Sequence, residues 1–135
     1  MISFRQFVTE EGVPLYWQIV RHIKRGIVSG EIRDGDELPS RRVLSALLTV
    51  NPATVQKAYH LLEDEGLITS HSGAKSYMRF DAVAAERVRR ELLVKEVTAL
   101  VTSFKGMGIS REEALALVRV HWGEETRQDK KELVL

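Results

Sequence analysis

The chain has 135 residues, with 20 Lys and Arg against 19 Asp and Glu, a formal net charge of +1 and no cysteine. That length suits one domain, or a small domain with a short appendage, and 44% hydrophobic residues suffice for a buried core. Disulfide frameworks, cysteine-based zinc sites and thiol nucleophiles are excluded, and a nucleic-acid partner would have to be argued from where the charges sit, not from their sum.

The start, Met1-Ile2-Ser3-Phe4-Arg5, lacks an apolar h-region and a small-residue cleavage site, so no signal peptide is expected. No apolar run approaches the ~20 residues that span a bilayer, which predicts a cytoplasmic protein with no membrane partner. Pro14 reads as the N1 residue of the first helix, where its missing N–H would be unpaired anyway. Leu15, Ile19, Ile23 and Ile27 recur every four residues, with Tyr16 and Val20 alongside, and Gly30 ends the run. Residues 31–38 read as turn-rich around Asp34-Gly35.

Ser40 is placed to cap a short helix from Arg41 to Leu48, expected to turn Val43, Leu44, Leu47 and Leu48 inward. After a tight turn at Thr49-Val50, Asn51-Pro52 is a second cap-plus-N1 pair. It opens a helix to about Glu65 that buries Val55, Tyr59 and Leu62 and stops at Gly66. Two short β-like stretches then flank Ser72-Gly73-Ala74-Lys75 and read as a hairpin. From Ala82 the helical period returns through Phe104, and Gly106 and Gly108 break it. Ser110 and Glu113 form a capping box for a last helix carrying Ala114, Leu117, Val118 and Trp122. Beyond Gly123 charge mixes with little periodicity, and a frayed tail is expected.

Helix, short helix, tight turn, helix and hairpin make the order of a winged helix-turn-helix, whose second paired helix must enter a major groove. The residues Asn51-Pro52-Ala53-Thr54-Val55-Gln56-Lys57 suit that task. Small side chains allow close approach, and Asn or Gln can read adenine bidentately. Glu63-Asp64-Glu65 lie at the other end of the same helix, which polarises it for docking tip-first. Arg41 and Arg42 start the preceding helix, beside exposed amides suited to phosphates, with Ser40 as the cap. Lys75, flanked by His71 and Arg79, lies where a wing would touch the DNA backbone or minor groove.

Three blocks carry a resemblance: Pro14-Leu15-Tyr16-Trp17-Gln18-Ile19; Gly30 to Arg42; and Asn51-Pro52-Ala53-Thr54-Val55-Gln56-Lys57-Ala58-Tyr59 with Leu62-Glu63-Asp64-Glu65-Gly66-Leu67-Ile68. Over about residues 13–80 the chain resembles the GntR-family DNA-binding domain, and with only two further helices it looks most like the YtrA-type subgroup. The resemblance implies a short bacterial transcription regulator that dimerises through C-terminal helices. It also implies that Arg42, at the helix start, contacts DNA, that Asn51, Thr54 and Gln56 are recognition-helix contacts, and that Gly73 is the wing-tip glycine. Two departures stand out. Leu48-Thr49-Val50 replaces the family's Leu-Gly-Val, and His71 with Gly73-Ala74-Lys75 replaces its wing arginine and Gly-x-Gly.

The four histidines show no metal-ligand spacing, so no metal or other cofactor is expected, and no nucleophile elbow or phosphate loop suggests an enzyme. The helix from Ala82 carries apolar residues on two stripes: Val88 and Leu92 on one side, and Leu93, Val97, Leu100 and Phe104 on another. Either the last helix covers the second stripe, or a symmetric dimer does, with Leu92, Leu93, Val97, Leu100, Phe104, Leu117, Val118 and Trp122 at the interface. The expectation is a mainly α chain with a small β-hairpin. Residues 1–80 form a winged helix-turn-helix DNA-binding domain, and residues 81–135 a two-helix dimerisation region. Its function is to bind double-stranded, pseudo-palindromic operator DNA as a homodimer and repress transcription. Ser40, Arg41, Arg42, Asn51, Pro52, Thr54, Gln56, Lys57, Gly73 and Lys75 would meet the DNA. Two alternatives remain: a regulator that senses an apolar small-molecule effector between the C-terminal helices, and a winged helix used for protein contacts alone.

Overall fold

Ile19, Ile23 and Ile27 form the buried face of α1 (Leu15–Ser29), as their spacing predicts. The computed structural model, which describes residues 1–71 and 75–124, begins that helix one residue later than expected. Pro14 is the N-cap, not N1: its ψ of 135° is non-helical, while its carbonyl already accepts from the Trp17 and Gln18 amides. The helix ends at Gly30 in the left-handed conformation.

Residues 31–36 do turn, but the segment ends in a strand that the sequence hides, β1 (Glu37–Leu38). Next come α2 (Arg41–Leu48), α3 (Pro52–Asp64), β2 (Ile68–His71) and β3 (Lys75–Met78). The hairpin is therefore present, and β1 joins it to make an antiparallel sheet in the order β1-β3-β2, with Leu38 and Ser70 both opposite Ser76. Two residues are too few to show an alternating pattern, so β1 is recognisable only by its pairing.

Helix α2 departs from its expected burial. Leu44 is fully buried and Leu48 half-buried, whereas Val43 and Leu47 are 51% and 62% exposed. Four inward residues would need more of the helix circumference than one packing face supplies, and the core takes the side carrying Leu44, Ser45 and Leu48. In α3, Val55, Ala58, Tyr59 and Leu62 are wholly buried against α1, α2 and the sheet. Gly66 ends it: the Gly66 amide donates to Glu63 O and the Leu67 amide to Leu62 O, which satisfies carbonyls the helix would leave open. Ile2 and Phe4 also enter this core, held by the Ile2 amide on Glu37 O at 2.8 Å.

The chain divides into two compact units, Met1–Leu92 and Leu93–Leu135. The division falls inside α4 (Ala82–Gly106), whose residues Val88 and Leu92 are buried. The second unit holds the rest of α4, a turn in which Gly108 is left-handed and the Ile109 amide bonds Phe104 O, and α5 (Arg111–Trp122). Ser110 caps α5 by accepting from the Glu113 amide. Gly73 and the tail beyond residue 124 lie outside the described residues. Among the described residues, no helix is long and apolar enough to cross a membrane.

Candidate nucleic-acid interface

Two short helices and the turn between them carry most of the residues singled out in the sequence. Ser40 Oγ accepts from the Val43 amide at 3.2 Å and so caps α2, leaving the start of that helix open between Ser40 and the exposed Arg42. Thr49 ends α2 in the left-handed conformation at φ 54°, where the Val50 amide reaches Ser45 O at 3.0 Å. The sharp reversal this permits delivers Asn51 to the N-terminus of α3.

Asn51 is a structural cap as well as a reading candidate. Its Oδ1 accepts from the Ala53 amide at 2.8 Å, so the atoms it keeps for an outside partner are chiefly its amide donors. Pro52 and Ala53 are exposed and small enough to let a surface approach closely, and Thr54 is half-buried. Gln56 is exposed and makes no side-chain hydrogen bond among the described residues, so both its donor and its acceptor are available. The tip of α3 thus presents amide and hydroxyl groups, and the exposed Arg42 at the start of α2 adds a cation, the mixture that base edges and phosphates require.

Lys57 is less free than the sequence suggests. Its ammonium nitrogen lies 3.9 Å from the centroid of the Tyr16 ring, a cation–π contact that draws it towards α1. Arg41 differs still more from its neighbour Arg42. It is half-buried, its guanidinium carbon lies 5.3 Å from the centroid of Tyr59, and its Nη2 reaches Ser70 Oγ on β2 at 3.5 Å. Tyr59 itself is fully buried and donates to Pro39 O at 2.7 Å. Burial pushes its phenol well above the usual value, and the Arg41 charge opposes that only in part. Lys75 is exposed at the start of β3, opposite His71.

The acidic heel of α3 is partly neutralised within the fold. Lys24 is buried in α1 and pairs with Glu65 at 2.9 Å, while its ammonium lies over the Trp17 ring. The sequence offers no sign of this pair, because its members are forty-one positions apart. In the second unit, Leu93, Val97, Leu100, Val118 and Trp122 are exposed, and Phe104 and Leu117 are half-buried. α5 therefore leaves the second stripe of α4 largely uncovered. Leu92, grouped with them in the sequence, is instead buried within the chain. No cluster of three or more His, Cys, Asp or Glu suited to a metal ion occurs among the described residues.

Known proteins are similar to this chain in sequence and in fold. The family model described as "Bacterial regulatory proteins, gntR family" matches residues 15–77, from the start of α1 into β3. The chain is 31% identical over 128 residues to the HTH-type transcriptional repressor YtrA of Bacillus subtilis (strain 168), an alignment covering 93% of this chain and 94% of that protein. Among solved structures, a GntR family transcriptional regulator from Listeria monocytogenes superimposes with a TM-score of 0.71 at 32% identity, covering 82% of this chain and 97% of that one. YtrA from Sulfolobus acidocaldarius, a GntR-family transcription factor, does so with a TM-score of 0.54 at 35% identity over 73% of this chain and 99% of its own.

Proposed function

The chain belongs to the GntR family of transcription regulators, in its YtrA-type subgroup, and from that premise we propose that it is a homodimeric repressor of a pseudo-palindromic operator. The observation that carries the reading is the exposed tip of α3. Gln56 stands there with its amide unengaged, next to Asn51 and Thr54, while Arg42 lies at the start of α2. Gln56, Asn51 and Thr54 read base edges in the major groove, with Pro52 and Ala53 at the closest approach. Arg42, Lys57, Lys75 and the capped start of α2 hold phosphates and set the register. The YtrA relative is named a repressor, which supports repression as the sign of regulation. Such a protein works beside the chromosome, in the cytoplasm.

Dimerisation supplies what one module lacks. A single head of this size neutralises few phosphates, and joining two heads makes the second contact intramolecular. The uncovered stripe of Leu93, Val97 and Leu100, with Phe104, Leu117, Val118 and Trp122, supports a two-fold interface between copies. Selection of duplexes from a random-sequence pool by the full chain tests the whole reading. The expected product is an inverted repeat whose half-sites lie one helical turn apart, about 34–36 Å centre to centre. Its affinity should fall steeply between about 50 and 200 mM salt. A pool that shows no enrichment, or enrichment indifferent to salt, overturns it.

A further inference from the structure

Arg41 and Arg42 are adjacent in sequence, yet the fold uses them differently. Arg42 is exposed at the start of α2, whereas Arg41 turns back over the molecule. Its guanidinium lies over the Tyr59 ring of α3 as a cation–π contact and reaches Ser70 of β2. Ser70 Oγ in turn lies 3.1 Å from Ser76 Oγ, directly across the β2–β3 ladder. One side chain therefore links the start of α2, the body of α3 and β2, and the Ser70–Ser76 contact continues the chain to β3. The anchor is firm at its base, since the Tyr59 hydroxyl is bonded to Pro39 O immediately before Ser40.

Arg41 Nε is buried with no hydrogen-bond partner among the described residues, and an unmade bond at a buried donor lowers stability. The next pair along the ladder, beyond Ser70 and Ser76, is His71 opposite Lys75, the last before the hairpin loop. Ser70 is thus one rung from the pair that holds Lys75.

We infer that Arg41 is a positioning residue for the hairpin: it sets where β2 and β3 lie relative to α3, and so where Lys75 meets the DNA backbone. This replaces the phosphate contact that its place at a helix start suggested. It rests on the DNA-binding reading above. Arginine suits the task because a planar guanidinium can stack on an aromatic face and still point donors at a hydroxyl, which an ammonium cannot do.

The test uses the full chain and a duplex selected from a random pool by the wild-type protein. Arg41→Lys keeps the charge but not the planar fork, and it should bind as weakly as Arg41→Ala. Lys75→Ala should cost at least about threefold less affinity in the Arg41→Ala background than in the wild type, as coupled residues do. Ser70→Ala removes only the acceptor on β2 and leaves the cation–π contact intact. It should show the same coupling to Lys75, which guards against misfolding of the Arg41 variants. Arg42→Ala and Lys75→Ala should add independently. Full rescue by Arg41→Lys, or additive losses at positions 41 and 75, overturns the inference while leaving DNA binding in place. If the wild-type chain selects no duplex, the functional reading fails and this inference fails with it.

Discussion

The Ser45 hydroxyl donates to the Val50 carbonyl oxygen at 2.6 Å, closing the turn from α2 to α3 around Thr49. A buried side chain of α2 thus ties down the residue that follows Thr49. The geometry between the two helices depends on that tie, and with it the direction in which α3 presents Gln56.

Thr49 occupies this turn at φ 54°, the one non-glycine residue with positive φ among those described. A left-handed residue with a β-branched side chain is disfavoured by roughly 1–2 kcal/mol. Thr49→Gly removes the Cβ that causes this, at some cost in unfolded-chain entropy. The variant should be more stable by about 1 kcal/mol, read as a higher urea midpoint at unchanged slope. A lower midpoint would mean that the threonine side chain holds the turn in its own right.

Gly26 is needed for closeness rather than for its torsion angles. A Cβ at that position would lie 2.3 Å from Ile32 Cδ1 and 2.6 Å from Cγ1, within the packed core. Gly26→Ala should therefore destabilise by about 1–3 kcal/mol despite alanine's better helix propensity. Adding Ile32→Val, which removes the nearest atom, should recover part of the loss. Unfolding of the single and double variants by urea checks both statements.

Gln56 and Arg42 should fail in different ways. Gln56→Ala loses a base contact, so discrimination between a selected duplex and a scrambled one should fall by about 1–3 kcal/mol. Arg42→Ala loses a phosphate contact, so it should weaken both duplexes alike and reduce the salt slope by about one. Titration of both duplexes at several salt concentrations separates the two. Equal losses of discrimination in the two variants would refute this division of roles.

The apolar stripe of the second unit should be an interface. Val97 is 57% exposed, so Val97→Glu places a charge there without disturbing a packed core. Sedimentation should show the variant as a monomer and the wild type as a dimer. Operator affinity should drop by about 10²-fold or more as the linked second contact is lost. A dimer that survives both Val97→Glu and Leu93→Glu would place the two-fold elsewhere.

The sequence by itself determined the features that depend on near neighbours in the chain. The caps at Ser40, Asn51 and Ser110 and the glycine stop at Gly66 are local hydrogen-bonding and torsional events, written within a few residues. The burial of Ile19, Ile23, Val55, Tyr59 and Leu62 follows from helical periodicity in the same way. What depends on distant partners was decided by the tertiary structure alone. β1 exists because β3 lies beside it, and Ile2 and Phe4 are buried because the core has room for them. Val43 and Leu47 face out because the core reaches the other side of α2. Arg41 and Arg42 look equivalent in sequence, and only the arrival of Tyr59 and Ser70 separates an inward anchor from an exposed cation. Periodicity shows that a residue has a side to bury, but which side is covered depends on what the rest of the chain brings next to it.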